Sequence, residues 1–412
     1  MEDPPVPRPA VTSERMLVFL IGAVQFVNVL DFVMVTPLGP KLAVGLGMAE
    51  SKLGLIVGSY TAAAAVSGVL GAFFLERFDR KKALGVAMVG LVFGTALCGF
   101  ATSPHTLMIA RVIAGAFGGP ATSLALSIIA DAIPAERRGK ALGAVMGALS
   151  VATIVGVPVG LRLAEWGGWR LPFFAVAGMG LVIALLAVTL LPPMTAHLGR
   201  GHGRHFEELR RLLSKRDVWL SYSMTAVTML AAFLVLPVLP SFLTRNLHYP
   251  ANALDRLYAV GGVVSFVTLR VMGRAVDRWG SFAVGTVGSV AVAFVLYVGL
   301  VAPPAGLPVL PFFMAFFLAL GTRNVSYNTL TSKVPRVEER ARFMSLQSAV
   351  QHLASASGAI FSSRLLGVDA ATRELTGMPR LATVSGILTL SLPVLLYAVE
   401  RRVRFRLAAK EG

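Results

Sequence analysis

A single carboxylate, Asp31, stands deep inside a long apolar stretch, residues 16–38. An ionised group in hydrocarbon costs at least ~2.5–3.5 kcal/mol, so a chain keeps one there only where it is paired or carries a function. A matching cation, Arg111, stands inside a second apolar stretch, residues 106–132. Asp31 lies about seven residues, or ~10 Å at 1.5 Å per residue, from one end of its stretch. Arg111 lies about five residues, or ~8 Å, from the end that faces the same side. At similar depth the two are expected to pair. Protonating Asp31 would then discharge the carboxylate and release Arg111, which is the chemistry of a coupling switch. The competing reading is a permanent structural pair, although a static buried pair is usually no more stable than apolar residues of similar volume. Gln25 and Asn28 precede Asp31 at near-helical spacing, so the three are expected to share one helix face lining a wet cavity.

Further polar groups interrupt two later apolar stretches. Arg323, Asn324 and Asn328 fall in one; Gln347, Gln351 and His352 fall in the next. Amides hold polar or zwitterionic solutes without selecting charge, so these six join Gln25 and Asn28 as candidate cavity residues. Hydrogen bonding between helices is the alternative use of such side chains. His352 is the second candidate proton carrier. Phe312, Phe313, Phe316 and Phe317 are expected to pack rather than to form an aromatic cage. Arg270 is expected to snorkel towards a membrane surface.

These residues must be positioned by membrane-spanning helices. Twelve apolar segments occupy residues 16–38, 52–75, 83–101, 106–132, 140–163, 171–191, 218–243, 252–273, 282–301, 307–332, 341–365 and 380–399. Each supplies the ~20 residues that a ~30 Å hydrocarbon core requires. The mean hydropathy is +0.72 and only 14% of residues are charged, which excludes an ordinary soluble domain. The net charge of +17 would suggest nucleic acid in a soluble protein. Here the 38 Lys and Arg concentrate on alternate loops, including Arg77, Arg80, Lys81 and Lys82, then Arg137, Arg138 and Lys140. That asymmetry follows the positive-inside rule, places both ends in the cytoplasm and implies contact with anionic lipid headgroups, not nucleic acid.

The segments fall into two sets of six that match at an offset of about two hundred residues: Pro37 and Pro40 against Pro237 and Pro240, Pro134 against Pro335. An even number of spans per set makes the repeats parallel, with a substrate site expected at their interface. The domain reading is a tail at 1–15, a six-helix half at 16–192, a linker at 193–217, a second half at 218–400 and a tail at 401–412. Phe206, Leu209, Leu212 and Leu213 recur at helical spacing in the linker, as expected of an interfacial helix. His197, His202 and His205 read as a solvated loop rather than a metal site, and no cofactor motif, Walker A sequence or nucleophile–base set is present. The single Cys98 excludes an intramolecular disulfide.

Two loops carry a resemblance. Gly273, Asp277, Arg278 and Gly280 resemble the loop signature of the major facilitator superfamily, and the segment from Glu76 through Arg77, Asp79 and Arg80 to Lys82 resembles its first copy, with Ala72, Glu76 and Asp79 departing from it. Arg111 before Gly115, Gly118 and Gly119 resembles the family's second motif, and Gly147, Gly156, Pro158 and Gly160 resemble its helix 5 antiporter motif with the Gly-Pro pair split. The resemblance is to twelve-span drug:proton antiporters and sugar-efflux permeases. It implies an all-α fold of two six-helix repeats, and a cytoplasmic gate in which Asp131 joins the loop arginines beside Glu76, Asp79 and Asp277. The resulting expectation is a monomeric, proton-coupled exporter of small amphiphilic or polar organic molecules in an inner (plasma) membrane, with no enzyme activity and no cofactor. A sugar or amino-acid exporter, a lipid transporter and a non-transporting receptor are the alternatives.

Overall fold

The computed structural model describes residues 13–195, 210–335 and 339–411. Helix α1 runs Glu14–Leu46, α2 Leu53–Phe74, α3 Arg80–Phe100 and α4 Pro104–Ala132. Helix α5 is built in pieces, Ala135–Met146, Ala148–Val151, a π-helical turn Ala152–Gly156 and Val157–Gly167, and α6 is Leu171–Leu190. Helix α7 is Arg216–Val235 continued by Leu239–Arg245, and α8 is Leu254–Trp279. Helix α9 is Ser281–Leu296 with a π-helical end Tyr297–Val301, α10 is Val309–Ser332, α11 Arg340–Leu365 and α12 Met378–Glu411.

Eleven of these are long and apolar enough to cross a membrane. The twelfth, α11, is as long but carries Ser345, Gln347, Ser348, Gln351, His352 and Ser355. It is sheltered by α2 on one flank and α7 on the other, so it presents less apolar surface. The outer surface is correspondingly greasy: Phe93, Val182, Phe294, Ile387 and Val394 are exposed. In water such a surface would drive association; in a bilayer it is the solvated one.

Helices α1–α6 form one bundle and α7–α12 the other. The bundles meet where α2 packs on α11 and where α5 packs on α8, with α1 touching the second piece of α7. Glycine permits both close approaches. Gly54 lies against the carbonyl of Ala359 and the hydroxyls of Ser362 and Ser363, and Gly262 lies against the backbone of Ile154. Any larger side chain would force the helices apart.

Prolines act differently in the two matching helices. Pro37 and Pro40 sit inside a continuous helix that ends at Gly47 in the left-handed conformation (φ 62°). Pro237 does break α7 into two pieces. In α5, Pro158 has no N–H to offer the Ile154 carbonyl, and the preceding turn widens to π geometry, with Val157 N–H bonding Ala152 O. A small hairpin, β1 Gly367–Val368 and β2 Leu375–Thr376, joins α11 to α12 and is held by Asn246, whose amide donates to Leu375 O (3.0 Å) and accepts from Leu375 N–H (3.1 Å).

Residues 1–12, most of the linker (196–209, including His197, His202, His205, Phe206 and Leu209) and the side chain of Glu76 lie outside the described parts. Within the linker, Leu212 is buried in the cluster that holds Val218 and Tyr222.

Candidate functional site

The structure brings Asp31 and Arg111 together inside the first bundle. Arg111 Nη1 lies 2.9 Å from Asp31 Oδ2, and both side chains are fully buried. Thr95 of α3 donates to Asp31 Oδ1 at 2.8 Å. The guanidinium lies over the Tyr60 ring of α2, 4.3 Å from its centroid, while Nε and Nη2 have no hydrogen-bond partner among the described residues. Tyr60 donates to Asn28 Oδ1 at 2.8 Å, and Asn28 donates to Gly118 O (2.8 Å) and Thr122 Oγ1 (2.6 Å). Glycine is required at 118, because a Cβ there would fall 2.3 Å from the Tyr60 hydroxyl. Gly156 and Gly160 of α5 receive Leu30 and Met34, the α1 side chains that flank Asp31.

The site continues to the other bundle. Phe32 stacks on Tyr60 with centroids 5.4 Å apart and on Phe233 of α7 at 6.0 Å. One contiguous path therefore runs from the ion pair, through the Tyr60 ring and Phe32, across the interface.

The wet-cavity expectation for Gln25, Asn28 and Asp31 is corrected. All three are buried in the first bundle: Asn28 is spent on interhelical bonds, and the Gln25 carbonyl has no partner. The large cavity, of 1020 Å³, is lined instead by the α1 stripe that includes Val18, Gly22 and Phe26, by α5 and by Phe266 of α8. Asp31 follows Gly22 by nine residues, two and a half turns at ~3.6 residues per turn, and so points away from that stripe.

The second-bundle candidates do not gather in the cavity either. Arg323 is buried among α7, α9, α10 and α12, bonded to Thr389 Oγ1 (3.3 Å) and Asn324 Oδ1 (3.4 Å), beside a small void walled by Ala231 and Ser385. Ala231 occupies the position that matches Asp31 in the repeat, so the second bundle carries no acid at that place. Asn328 and Gln351 are exposed, His352 is half-buried, and the Gln347 carbonyl is buried without a partner. Phe312, Phe313 and Phe316 pack inside the bundle with Tyr258 and Phe317.

The two sides of the membrane differ. We call the side where α1 begins the terminal side. There Arg80 Nε lies 2.5 Å from Asp131 Oδ2 and Arg137 lies 3.0 Å from Glu14, both within the first bundle, while Lys215 pairs with Glu339 within the second. Asp79 caps α3 through Lys81 N–H (2.8 Å) and also accepts from Met194 N–H (3.2 Å), which uses it as a structural cap. Arg77, Asp277 and Arg278 are exposed, and Gly273 has open space around it. Gly280 (φ 85°) is held against Glu400 of α12, which accepts from Phe282 N–H at 2.5 Å. On the far side two ion pairs cross between bundles, Arg162 Nε to Asp255 Oδ2 at 2.6 Å and Arg245 Nε to Glu50 Oε1 at 2.7 Å, while Arg162 also reaches Glu165 of its own helix at 3.4 Å.

Sequence reasoning missed Thr95, Tyr60, Glu400 and the far-side pairs. An isolated polar residue in an apolar span was the available signal for Thr95 and Tyr60. The far-side residues sit at span ends, where charge is unremarkable in sequence.

Comparisons agree with this architecture. Residues 21–359 match the family described as Major Facilitator Superfamily. The chain is 24% identical over 270 residues to the uncharacterized MFS-type transporter YtbD of Bacillus subtilis, covering 66% of each chain. It is 26% identical over 245 residues to a chloramphenicol resistance protein of Streptomyces lividans, covering 60% of this chain and 62% of that one. The chain thus spans less than two thirds of either relative's length. A multi-drug resistance efflux pump PmrA homolog of Lactococcus lactis is 24% identical over 350 residues, covering 82% and 85%. The crystal structure of a D-xylose-proton symporter superposes with a TM-score of 0.76 at 16% identity, covering 92% and 96%, which places the fold.

Proposed function

The chain belongs to the Major Facilitator Superfamily, and within it we propose a proton-coupled exporter of small amphiphilic or polar organic molecules that works by alternating access. The protein is a multi-pass membrane transporter, not an enzyme. In this reading the terminal side is cytoplasmic, the membrane is the inner (plasma) membrane, and the protein acts as a monomer. Its loop arginines and lysines rest against anionic headgroups. The relatives named for chloramphenicol resistance and multi-drug efflux support export of a drug-like solute.

The observation that carries the reading is the unbroken path from Asp31 and Arg111 through Tyr60 and Phe32 to Phe233 of the opposite bundle. Protonating Asp31 removes the charge that holds Arg111, and the guanidinium and the ring beneath it must then re-pack. The ring is stacked, through Phe32, on Phe233 of the opposite bundle. Proton occupancy and far-side opening are thereby linked through one packed element with two arrangements. The cavity on the terminal side and the ion pairs sealing the far side are the geometry of the inward-open half of such a cycle. The amide-lined sugar or amino-acid reading has less support, because its residues stand away from the cavity.

Proteoliposomes with an imposed proton gradient test the proposal. Radiolabelled chloramphenicol, a fluorescent drug panel and labelled sugars would be offered on the proton-poor side. Gradient-dependent accumulation of a drug, abolished by Asp31→Asn with binding retained, is expected. Gradient-independent flux, or full activity in the variant, overturns proton coupling at Asp31.

A further inference from the structure

The large cavity is apolar within and basic at its mouth; the charges that line it belong to the first bundle, and Arg270 of the second flanks its opposite wall. Gly22 and Phe26 of α1 and Ile154 of α5 form the apolar wall. At the mouth stand Glu14, Arg15, Arg137 and Lys140. Among the described residues Glu14 is the only carboxylate in the lining, and it is taken by Arg137 at 3.0 Å. Arg15 and Lys140 have no acidic partner among the described residues. On the opposite wall, the guanidinium of Arg270 lies over the ring of Phe266, 4.3 Å from its centroid, and Phe266 lines the cavity. Arg270 too has no acid beside it among the described residues. An arginine that merely snorkelled would extend into the headgroup layer; this one is folded back on a cavity-wall ring.

The cavity also opens sideways. Helix α8 meets α5 where Gly262 lies against the Ile154 backbone, and one turn nearer the terminal side Phe266 lines the cavity. Below that crossing, Met146 and Leu149 of α5 are exposed on the protein surface and Val151 lines the cavity. A molecule dissolved in the leaflet on the terminal side can therefore enter between α5 and α8 without crossing the bulk water phase.

We infer that this cavity takes a single-chain amphiphilic organic anion, its apolar body along Gly22 and Phe26 and its carboxylate, sulfonate or phosphate between Arg15 and Lys140 of one bundle and Arg270 of the other. This inference rests on the reading of the cavity as the substrate site. Charge complementarity selects the anion: two cations on one wall and a third beside the other, none with an acidic partner among the described residues, would repel a cationic drug and leave a neutral one without a partner. Holding one anionic group from both bundles also draws the terminal-side walls together, as closure of that side requires.

Calorimetric titration of the full-length protein in phosphatidylcholine nanodiscs, against empty discs, tests this with decyl probes ending in sulfonate, amine oxide or trimethylammonium. The sulfonate should bind about tenfold or more tightly than the cation, the difference that one charge-assisted contact supports. Arg15→Gln with Lys140→Gln, and separately Arg270→Gln, should each weaken sulfonate binding by about tenfold and leave the amine oxide unchanged, while Arg15→Lys restores it. Gly22→Trp, at a position with open space around it, should block all three probes. If the heads bind alike, or the glutamine variants change nothing, while Gly22→Trp still blocks, the anion assignment fails and the cavity reading stands. If Gly22→Trp leaves sulfonate binding intact, the cavity is not the substrate site and both fail. Displacement of the sulfonate by phosphatidylglycerol introduced into the discs would overturn the single-chain assignment in favour of a membrane lipid.

Discussion

Arg162 of α5 and Asp255 at the start of α8 meet at 2.6 Å across the two bundles, on the side away from the chain ends. With Arg245 and Glu50 they form the ionic seal of that side, while every terminal-side pair among the described residues stays within its own bundle. This asymmetry defines which side is open.

Arg162→Gln together with Arg245→Gln should shift the equilibrium towards far-side opening, because each removes an inter-bundle attraction made only when that side is shut. At partly exposed pairs the effect is about 0.2–1 kcal/mol each. Spin-label distance distributions across the far-side ends of α2 and α11 would show a longer component growing in. An unchanged distribution would remove the seal role.

Arg111→Ala should destabilise the fold by ~3–5 kcal/mol if Asp31 stays ionised, since a buried carboxylate is left without its counter-charge. Asp31→Asn should cost less, because Arg111 keeps the Tyr60 face. Thermal melts in detergent of Arg111→Ala, Asp31→Asn and the double variant separate the cases: removing the carboxylate as well should recover part of the Arg111→Ala deficit. A double variant that is the plain sum of the two singles would show that the loss is packing alone.

Asp277→Asn is expected to leave the present arrangement intact, since Asp277 is exposed here, and to slow passage to the state in which its loop meets the opposing bundle. Single-molecule fluorescence transfer between the bundles would report the exchange rate. Equal rates in both proteins would remove the latch role.

Gly54→Leu should disrupt the α2–α11 contact, because its side chain would run into Ala359, Ser362 and Ser363. Overpacking of this kind costs ~1–3 kcal/mol. Far-side closure should suffer first, read as increased labelling of a cysteine at Ser363 in a Cys98-free background.

Asp369 in the hairpin turn accepts N–H bonds from Thr372 (2.9 Å) and Ala371 (2.8 Å), which hold its carboxyl below the ordinary carboxylate range. The lowered value means that the turn's stabilisation is present above the unfolded pKa and is lost as pH falls through the folded one. Protection of the amides of residues 371–372, taken relative to their intrinsic exchange rates, should therefore fall only in acid, and Asp369→Ala should remove that dependence.

The sequence by itself determined the spans, the repeat and the pairing of Asp31 with Arg111. Each follows from rules that act locally or at bilayer depth: apolar length, motif spacing, and the cost of a lone charge in hydrocarbon. It also found the departure in helix 5, though not that Pro158 would widen the preceding turn, nor that Gly156 and Gly160 would receive Leu30 and Met34. Which face of α1 meets the cavity was a tertiary decision. Asp31 and Gly22 lie on opposite sides of one helix, and polar residues reach for partners in neighbouring helices as readily as for water, so polarity alone pointed to the wrong face. The same ambiguity sent Arg323 and the amides to a cavity they do not line. Arg270 on Phe266, and the far-side pair of Arg162 and Asp255, depend on residues far apart in the chain meeting across an interface, and no spacing rule encodes that meeting.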